Sequence, residues 1–429
     1  MVEMDEGLGD RSAASRSGNQ LHTRLAEDRA DARAARAPHG LAAALALEPN
    51  IIAASRAIFL LGLGENLWRR FVPKYLEALG APVIAIGLFG TTEDFLDGVY
   101  QYPGGWVADR YGRRRALQLF IVLAAVGYVV YWAAPAWPWM FVGILFVSAW
   151  NSMASPALFA VVGDSLPSER RTMGFTVQAV VKRIPLAVAP TLGGLIIAAF
   201  GVRGGVRTSL LVTVGLAAVT LAAVARLRVP VFQGHATHTI RGVWAAFPQP
   251  LRWLLASDIF IRTCDGMVDI FLVLYAINVI HITAPEFGTL VAVQAVAAML
   301  AYAPGAAVAD RVGRKPFVTT TFLAFAAFPL AVILSHSFAG LVAAFTVGGL
   351  RELGEPARKA LILHMAPAEL RARSIGLYYL LRSLAIAPAA FIGGLLWKVS
   401  PALPFTLAGL IGLTGTAVFI ATVDEQHAG

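Results

Sequence analysis

The sequence predicts an all-α integral membrane protein of twelve transmembrane helices, built as two six-helix repeats in parallel orientation. Three observations predict this. Of 429 residues, 57% are hydrophobic and only 14% are charged, whereas a soluble domain carries about a quarter charged residues. The apolar residues come in runs of about twenty, the number of helical residues needed to cross about 30 Å of hydrocarbon. The second half of the chain also repeats the first.

Residues 1–48 are polar and rich in Ala and Arg and lack a secretory signal pattern. They are expected to be a disordered cytoplasmic tail. Twelve spans follow, at about 57–79, 83–108, 116–134, 138–161, 173–200, 208–226, 253–279, 286–309, 317–335, 339–362, 374–398 and 403–422. They group as an N-terminal half, 49–226, and a C-terminal half, 253–422. A central cytoplasmic loop, 227–252, separates the halves, and a short cytoplasmic tail, 423–429, closes the chain. One set of alternate loops holds Arg110, Arg113, Arg114 and Arg115, then Arg170 and Arg171, then Arg311, Arg314 and Lys315, then Arg371 and Arg373. The opposite set shows little beyond Arg203 and Arg207. Excess Lys and Arg mark the cytoplasmic side, so both termini are expected in the cytoplasm of a cell inner (plasma) membrane protein. The formal charge of +9 then reports orientation rather than nucleic-acid binding.

The repeat is read from GGWVADRYGRRR at Gly104 and GAAVADRVGRKP at Gly305, 201 residues apart. Further on the displacement is 200, and it pairs Pro156 with Pro356, Pro167 with Pro367, and Gly193-Gly194 with Gly393-Gly394. Parallel repeats of this kind occur in transporters that bind solute between the halves near the bilayer midplane.

These residues resemble the major facilitator superfamily. Its signature, Gly-x-x-x-Asp-Arg-x-Gly-Arg-Arg between the second and third spans, stands here as Gly105, Asp109, Arg110, Gly112, Arg113 and Arg114. The second copy keeps Asp310, Arg311, Gly313, Arg314 and Lys315, with Ala306 in place of the first glycine. Gly112 permits a tight reversal. Asp109 can face the positive end of a helix from the other half and hold the cytoplasmic side shut. The resemblance names that helix as the eleventh span, and Asp310 would face the start of the fifth. The alternative is that these charges only fix topology. The fifth-span APTLGG approaches the antiporter pattern of this superfamily, but Ala189 replaces a glycine, which gives a lean toward export. Asn151 stands where the family often has a fourth-span arginine, which puts a standard fourth-span proton relay in doubt.

The resemblance further implies that spans one, four, seven and ten line a central cavity. Each carries a polar pair at i,i+4 spacing: Glu65 and Arg69, Asn151 and Ser155, Asp265 and Asp269, Arg351 and Glu355. A charge at mid-bilayer costs about 2.5–3.5 kcal/mol, so these side chains are expected to face one another or water. Two roles stay open, structural pairing and a solute site. As structural pairs, Glu65–Arg69 and Arg351–Glu355 can bond within their own helices. As a site, Glu65, Arg69, Asn151, Arg183, Arg351, Glu355 and Arg382 bind substrate, because guanidinium grips carboxylate or phosphate bidentately. Asp265 and Asp269 read as an unbalanced acidic pair with no counterparts in the first half. Like charges so close favour a bound proton, so these two, with Asp97, are the candidates for proton coupling. Clustered Glu93, Asp94 and Asp97 can instead pair with Arg382.

The resulting expectation is a secondary active transporter of a small charged or polar organic solute. It works by alternating access, driven by protons or another ion, as a monomer in contact with membrane lipid. A flippase for lipid or an amphiphile, or a proton-coupled uptake symporter, are the alternatives. No nucleotide-binding loop is read, no catalytic constellation, and no cofactor or metal site. The lone Cys264 reads as a packing residue.

Overall fold

The computed structural model describes residues 48–165, 168–227, 244–245, 247–365 and 371–423. Among them the chain is helical, and the helices stack end to end into twelve columns. Column α1 is Pro49–Ala78, α2 is Val83–Tyr111, and α3 is Arg113–Ala133. Column α4 runs from Pro138–Ser148 through a π-helical turn to Ala154–Ser165. Columns α5 and α6 are the two arms of Ser168–Val224, broken at Gly201. Column α7 runs from Gln249–Val268 to a π-helical end at Tyr275–Val279. Columns α8 and α9 are Ala284–Val312 and Lys315–Leu334. Column α10 joins Phe338–Gly349 to Glu355–Met365, α11 joins Arg371–Ile386 to Pro388–Val399, and α12 is Leu403–Thr422.

Seven described stretches are long and apolar enough to cross a membrane, and one of them, Val181–Val224 at 44 residues, is long enough to do so twice. Columns α2, α4, α7 and α10 fall outside that set and carry many of the charged and polar side chains described below. Solvent-exposed apolar residues stud the outer faces, as at Leu119, Val122, Val126 and Val129 of α3, each 44–46% exposed. In water such a surface would aggregate; against lipid it is the expected face. Proline helps start several columns, within the first turn at Pro49, Pro138 and Pro404, where its missing N–H costs nothing. Column α1 begins eight residues before the predicted start, because PNIIAASR continues the helix ahead of the wholly apolar run.

Gly112 (φ 87°) turns α2 into α3, and Gly313 (φ 107°) turns α8 into α9. Glycine alone adopts that conformation freely. The loops that join α2 to α3 and α8 to α9 define one end of the molecule, here the basic end; the other is the α1–α2 end.

The repeat is visible in the irregularities as well. Column α1 changes to a 3₁₀ turn at Arg69–Phe71 and α7 at Asp269–Phe271, again 200 residues apart. The halves meet where α5 packs on α8 and α2 packs on α11. At the first crossing, a Cβ on Gly288 would collide with the Pro190 backbone, and one on Gly194 with Ala284 and Pro285. At the second, Gly87 lies against the Ala390 backbone and Gly98 against Ser383. Small residues let helix backbones approach this closely inside a membrane.

The central loop and the tails fall almost wholly outside the described residues. So do the side chains of Asp109, Asp310 and Arg311. Arg110 is exposed, its guanidinium 5.7 Å from the Trp106 ring; Gly105, Arg113 and Arg314 are partly buried near the same end.

Candidate functional site

The columns that carry the polar pairs lose regular α-geometry at those residues. In α1 the 3₁₀ turn begins at Arg69. In α4 a π-helical turn, Ala149–Met153, contains Asn151. In α7 a 3₁₀ turn begins at Asp269. In α10 a 3₁₀ turn, Leu350–Glu352, contains Arg351. Departures of this type free backbone groups and re-aim side chains, and they concentrate at functional sites.

Glu65 is 3% exposed. Its Oε1 accepts hydrogen bonds from the Tyr128 hydroxyl of α3 at 2.6 Å and from the Asn151 amide of α4 at 3.2 Å. Arg69 does not pair with Glu65 along its own helix, although the i,i+4 spacing offers that pair. It reaches Glu93 of α2 at 2.5 Å, because the 3₁₀ turn rotates it off the Glu65 face. Beside that ion pair lies a cavity among α1, α2, α3 and α4. Trp68, Phe89 and Tyr131 line it, together with Asp97, Asn151 and Ser152. Asp97 accepts from the Ser152 hydroxyl at 2.8 Å.

In the second half, Arg351 bonds Asp265, not Glu355, and its guanidinium lies 4.5 Å from the Phe328 ring. Glu355 instead takes Arg358, at 2.6 and 3.0 Å, and Arg262, at 3.3 Å. Arg358, 1% exposed, also reaches Asp258 at 2.5 Å. Arg382 ends at Asp258, 3.4 Å away, and not at the acids of α2. Arg382, Asp258, Arg358, Glu355, Arg262, Asp265 and Arg351 thus form one chain of alternating charge. Guanidinium groups in this density need such partners, since each would otherwise be a buried uncompensated charge.

Two ion pairs among the described residues span the halves. Arg70 of α1 grips both oxygens of Asp269 of α7, at 2.9 and 3.0 Å. Arg183 of α5 meets Glu352 of α10 at 2.9 Å. Asn278 adds hydrogen bonds to Lys74 at 2.5 Å and Glu77 at 2.8 Å near the α1–α2 end.

The reading of Asp265 and Asp269 as an unbalanced acidic pair is therefore corrected. The 3₁₀ turn parts them, and each meets its own arginine, Arg351 and Arg70. Nor does Asp265 lack a counterpart. The displacement of 200 superimposes Glu65 on Asp265 and Asn151 on Arg351, so one acid-to-donor contact recurs in both halves. Asp258, Arg262 and Glu352 were missed by sequence reasoning. Asp258–Arg262 stands at i,i+4 and Arg262–Asp265 at i,i+3, a signal that spacing alone offered. Among the described residues, Asp94 of α2 makes no ion pair or hydrogen bond; its carboxylate lies near Gly266 of α7. No group of three or more His, Cys, Asp or Glu suited to a metal occurs among them. Cys264 is buried, with its thiol donating to the Phe325 carbonyl at 3.3 Å.

Comparison with known proteins places this geometry. The profile of the Major Facilitator Superfamily matches residues 55–261 and 254–428. An MFS-type transporter of Methanocaldococcus jannaschii is 21% identical over 378 residues, covering 86% of this chain and 93% of that protein. The quinolone resistance protein NorA of Staphylococcus aureus is 24% identical over 145 residues, 34% of this chain and 37% of its own length. Among solved structures, the nucleoside transporter NupG superimposes with a TM-score of 0.71 at 13% identity, covering 87% of this chain and 100% of that one. A peptide transporter, POT, crystallised with sulfate gives 0.70 at 15% identity, with 88% and 94% covered.

Proposed function

The chain belongs to the Major Facilitator Superfamily and is a multi-pass membrane transporter rather than an enzyme, and from that premise we propose that it moves a small charged or polar organic solute by alternating access, driven by protons. The observation that carries this reading is the set of charged and polar side chains at the irregular turns. Arg69, Asn151 and Arg351 stand in the non-α turns of α1, α4 and α10, and they, with Arg183, Glu355 and Arg382, mostly face a partner that a solute can replace. A solute carboxylate or phosphate would compete for Arg69 or Arg351, and a solute ammonium for Glu93 or Asp97. Exchange of partners costs little where each side chain keeps one ion pair throughout.

The halves would rock about their crossings. The basic end is read as cytoplasmic from its Arg and Lys content. Arg70–Asp269 and the Asn278 bonds then close the outer side in this structure, and the Asp109 and Asp310 loops would close the inner side in the opposite state. The fifth-column Pro190, Gly193 and Gly194 crossing, and the partial likeness to a quinolone resistance protein, support export from the cell across the inner membrane; the protein is taken to work as a monomer. Proton exchange falls to carboxylates that no arginine holds. Asp265 and Asp269 fail that condition; Glu65, Asp94 and Asp97 meet it among the described residues.

The test is a thermal-shift screen of the purified protein against charged metabolites. A ligand whose stabilisation is lost in Arg351→Ala and Arg69→Ala locates the site. A ligand that stabilises both variants as well as the wild type refutes it.

A further inference from the structure

Glu65 differs from its repeat partner in one respect. Asp265 is held by a guanidinium, Arg351, while the structurally equivalent donor to Glu65 is the neutral amide of Asn151. The second donor, the Tyr128 hydroxyl, is neutral too. Both donors converge on Oε1, and Oε2 has no hydrogen-bond partner among the described residues. An ionised carboxylate buried at 3% exposure without a cation is expensive. A carboxyl group with a proton on Oε2 fits the same contacts, since Oε1 then accepts as a carbonyl oxygen.

The groups around Glu65 do not change this. On α1 itself Arg69 is nearest, but Glu93 holds it. From α2 come Glu93 and Asp97, both acids. From α3 come Tyr128 and Tyr131, and from α5 comes Lys182, which makes no hydrogen bond or ion pair with Glu65 among the described residues. Column α6 presents Thr213, which accepts from the Trp68 indole at 3.1 Å.

We propose that Glu65 is a proton-exchanging carboxyl group of the transport cycle, carrying its proton on Oε2 in the state described here. The assignment rests on the proton-driven reading above and names the residue responsible. In the step itself the Oε2–H bond breaks and the proton passes to water in the α1–α4 cavity; no other covalent bond changes. The carboxylate so formed draws Arg69, one helical turn away, from Glu93. That rearrangement opens the ion pair at the wall of the cavity, which ties the proton to the solute.

The experiment is infrared difference spectroscopy of the full-length protein in lipid vesicles as pH is stepped, with no solute needed. The wild type should show a protonated-carboxyl C=O band that bleaches as pH rises. Glu65→Gln should lose that component, and Asp265→Asn should keep it. Two milder variants guard against misfolding of the first. Tyr128→Phe removes a donor that favours the ionised form, so the band should persist to higher pH. Asn151→Arg copies the second half and should erase the band by fixing the charge. An unchanged band in Glu65→Gln, or no movement in either of the milder pair, overturns the assignment. A wild-type band that titrates while solute flux ignores an imposed pH gradient overturns the proton-driven reading, and leaves Glu65 as a titrating group.

Discussion

Replacing Arg358 with Met separates the charges that hold the bundle from those that serve the solute. Arg358 is the hub of the second half: it bonds Asp258 at 2.5 Å and Glu355 at 2.6 and 3.0 Å, and its side chain is 2% exposed. Met keeps most of the volume but strips both carboxylates of their main partner. Breaking a buried pair from one side destabilises by about 3–5 kcal/mol, or a hundredfold or more in the folding equilibrium. Arg69→Met removes an ion pair of equally short length, but its partners are 40% and 37% exposed. Water solvates Glu93 once Arg69 is gone, so the loss should stay within about 1 kcal/mol. The assay is a thermal melt in detergent, followed through the nine tryptophans, with solute flux measured beside it. Arg358→Met should melt many degrees below the wild type, and Arg69→Met close to it but without transport. Equal melting temperatures for the two variants would refute the division, as would loss of folded protein in Arg69→Met alone.

Other outcomes follow from the contacts between halves. Arg70→Ala should expose the α1–α2 end, so that a cysteine introduced at Asn278 reacts faster with an impermeant maleimide; labelling that does not change would place the closure elsewhere. Gly194→Leu puts a side chain into the Ala284–Pro285 backbone. It should reduce both folded yield and flux, while Gly215→Leu, with open space around it, should be tolerated; the reverse order would reject the close crossing. Arg351→Ala leaves Asp265 with Arg262 alone, at 3.9 Å, and should abolish flux. Arg351→Lys should recover little, because an ammonium cannot reproduce the guanidinium's fork or its stacking on Phe328; full recovery would reduce Arg351 to a bare charge.

The helical columns and their order were legible because apolar length is a strong signal in a membrane protein. The repeat was legible in Pro156 and Pro356 and in the paired glycines, since turns and crossings restrict residue type tightly. Partner choice was not. Glu65 and Arg69 at i,i+4 looked like a pair, and the 3₁₀ turn at Arg69 sends the guanidinium to Glu93 instead. Nothing in one-dimensional spacing encodes that rotation. Asp265 and Asp269 looked unbalanced for the same reason: Arg70 reaches Asp269 from 199 residues away, across a boundary that no local pattern crosses. The order of the columns was legible in the sequence; the azimuth around each helix, which decides partners, was not.

The crossing of α5 and α8 has a consequence of its own. At Gly288 and Pro190, and at Gly194 and Ala284, the touching surfaces are main chain, and the described contacts there include neither an ion pair nor a titrating group. Sliding at such a bearing exchanges one set of dispersion contacts for another. Acidity and ionic strength have no purchase on it. Any sensitivity of turnover to either is then expected to originate away from this crossing, in the Arg69 and Arg351 ion pairs with their acids and in the Arg70–Asp269 and Arg183–Glu352 pairs between the halves.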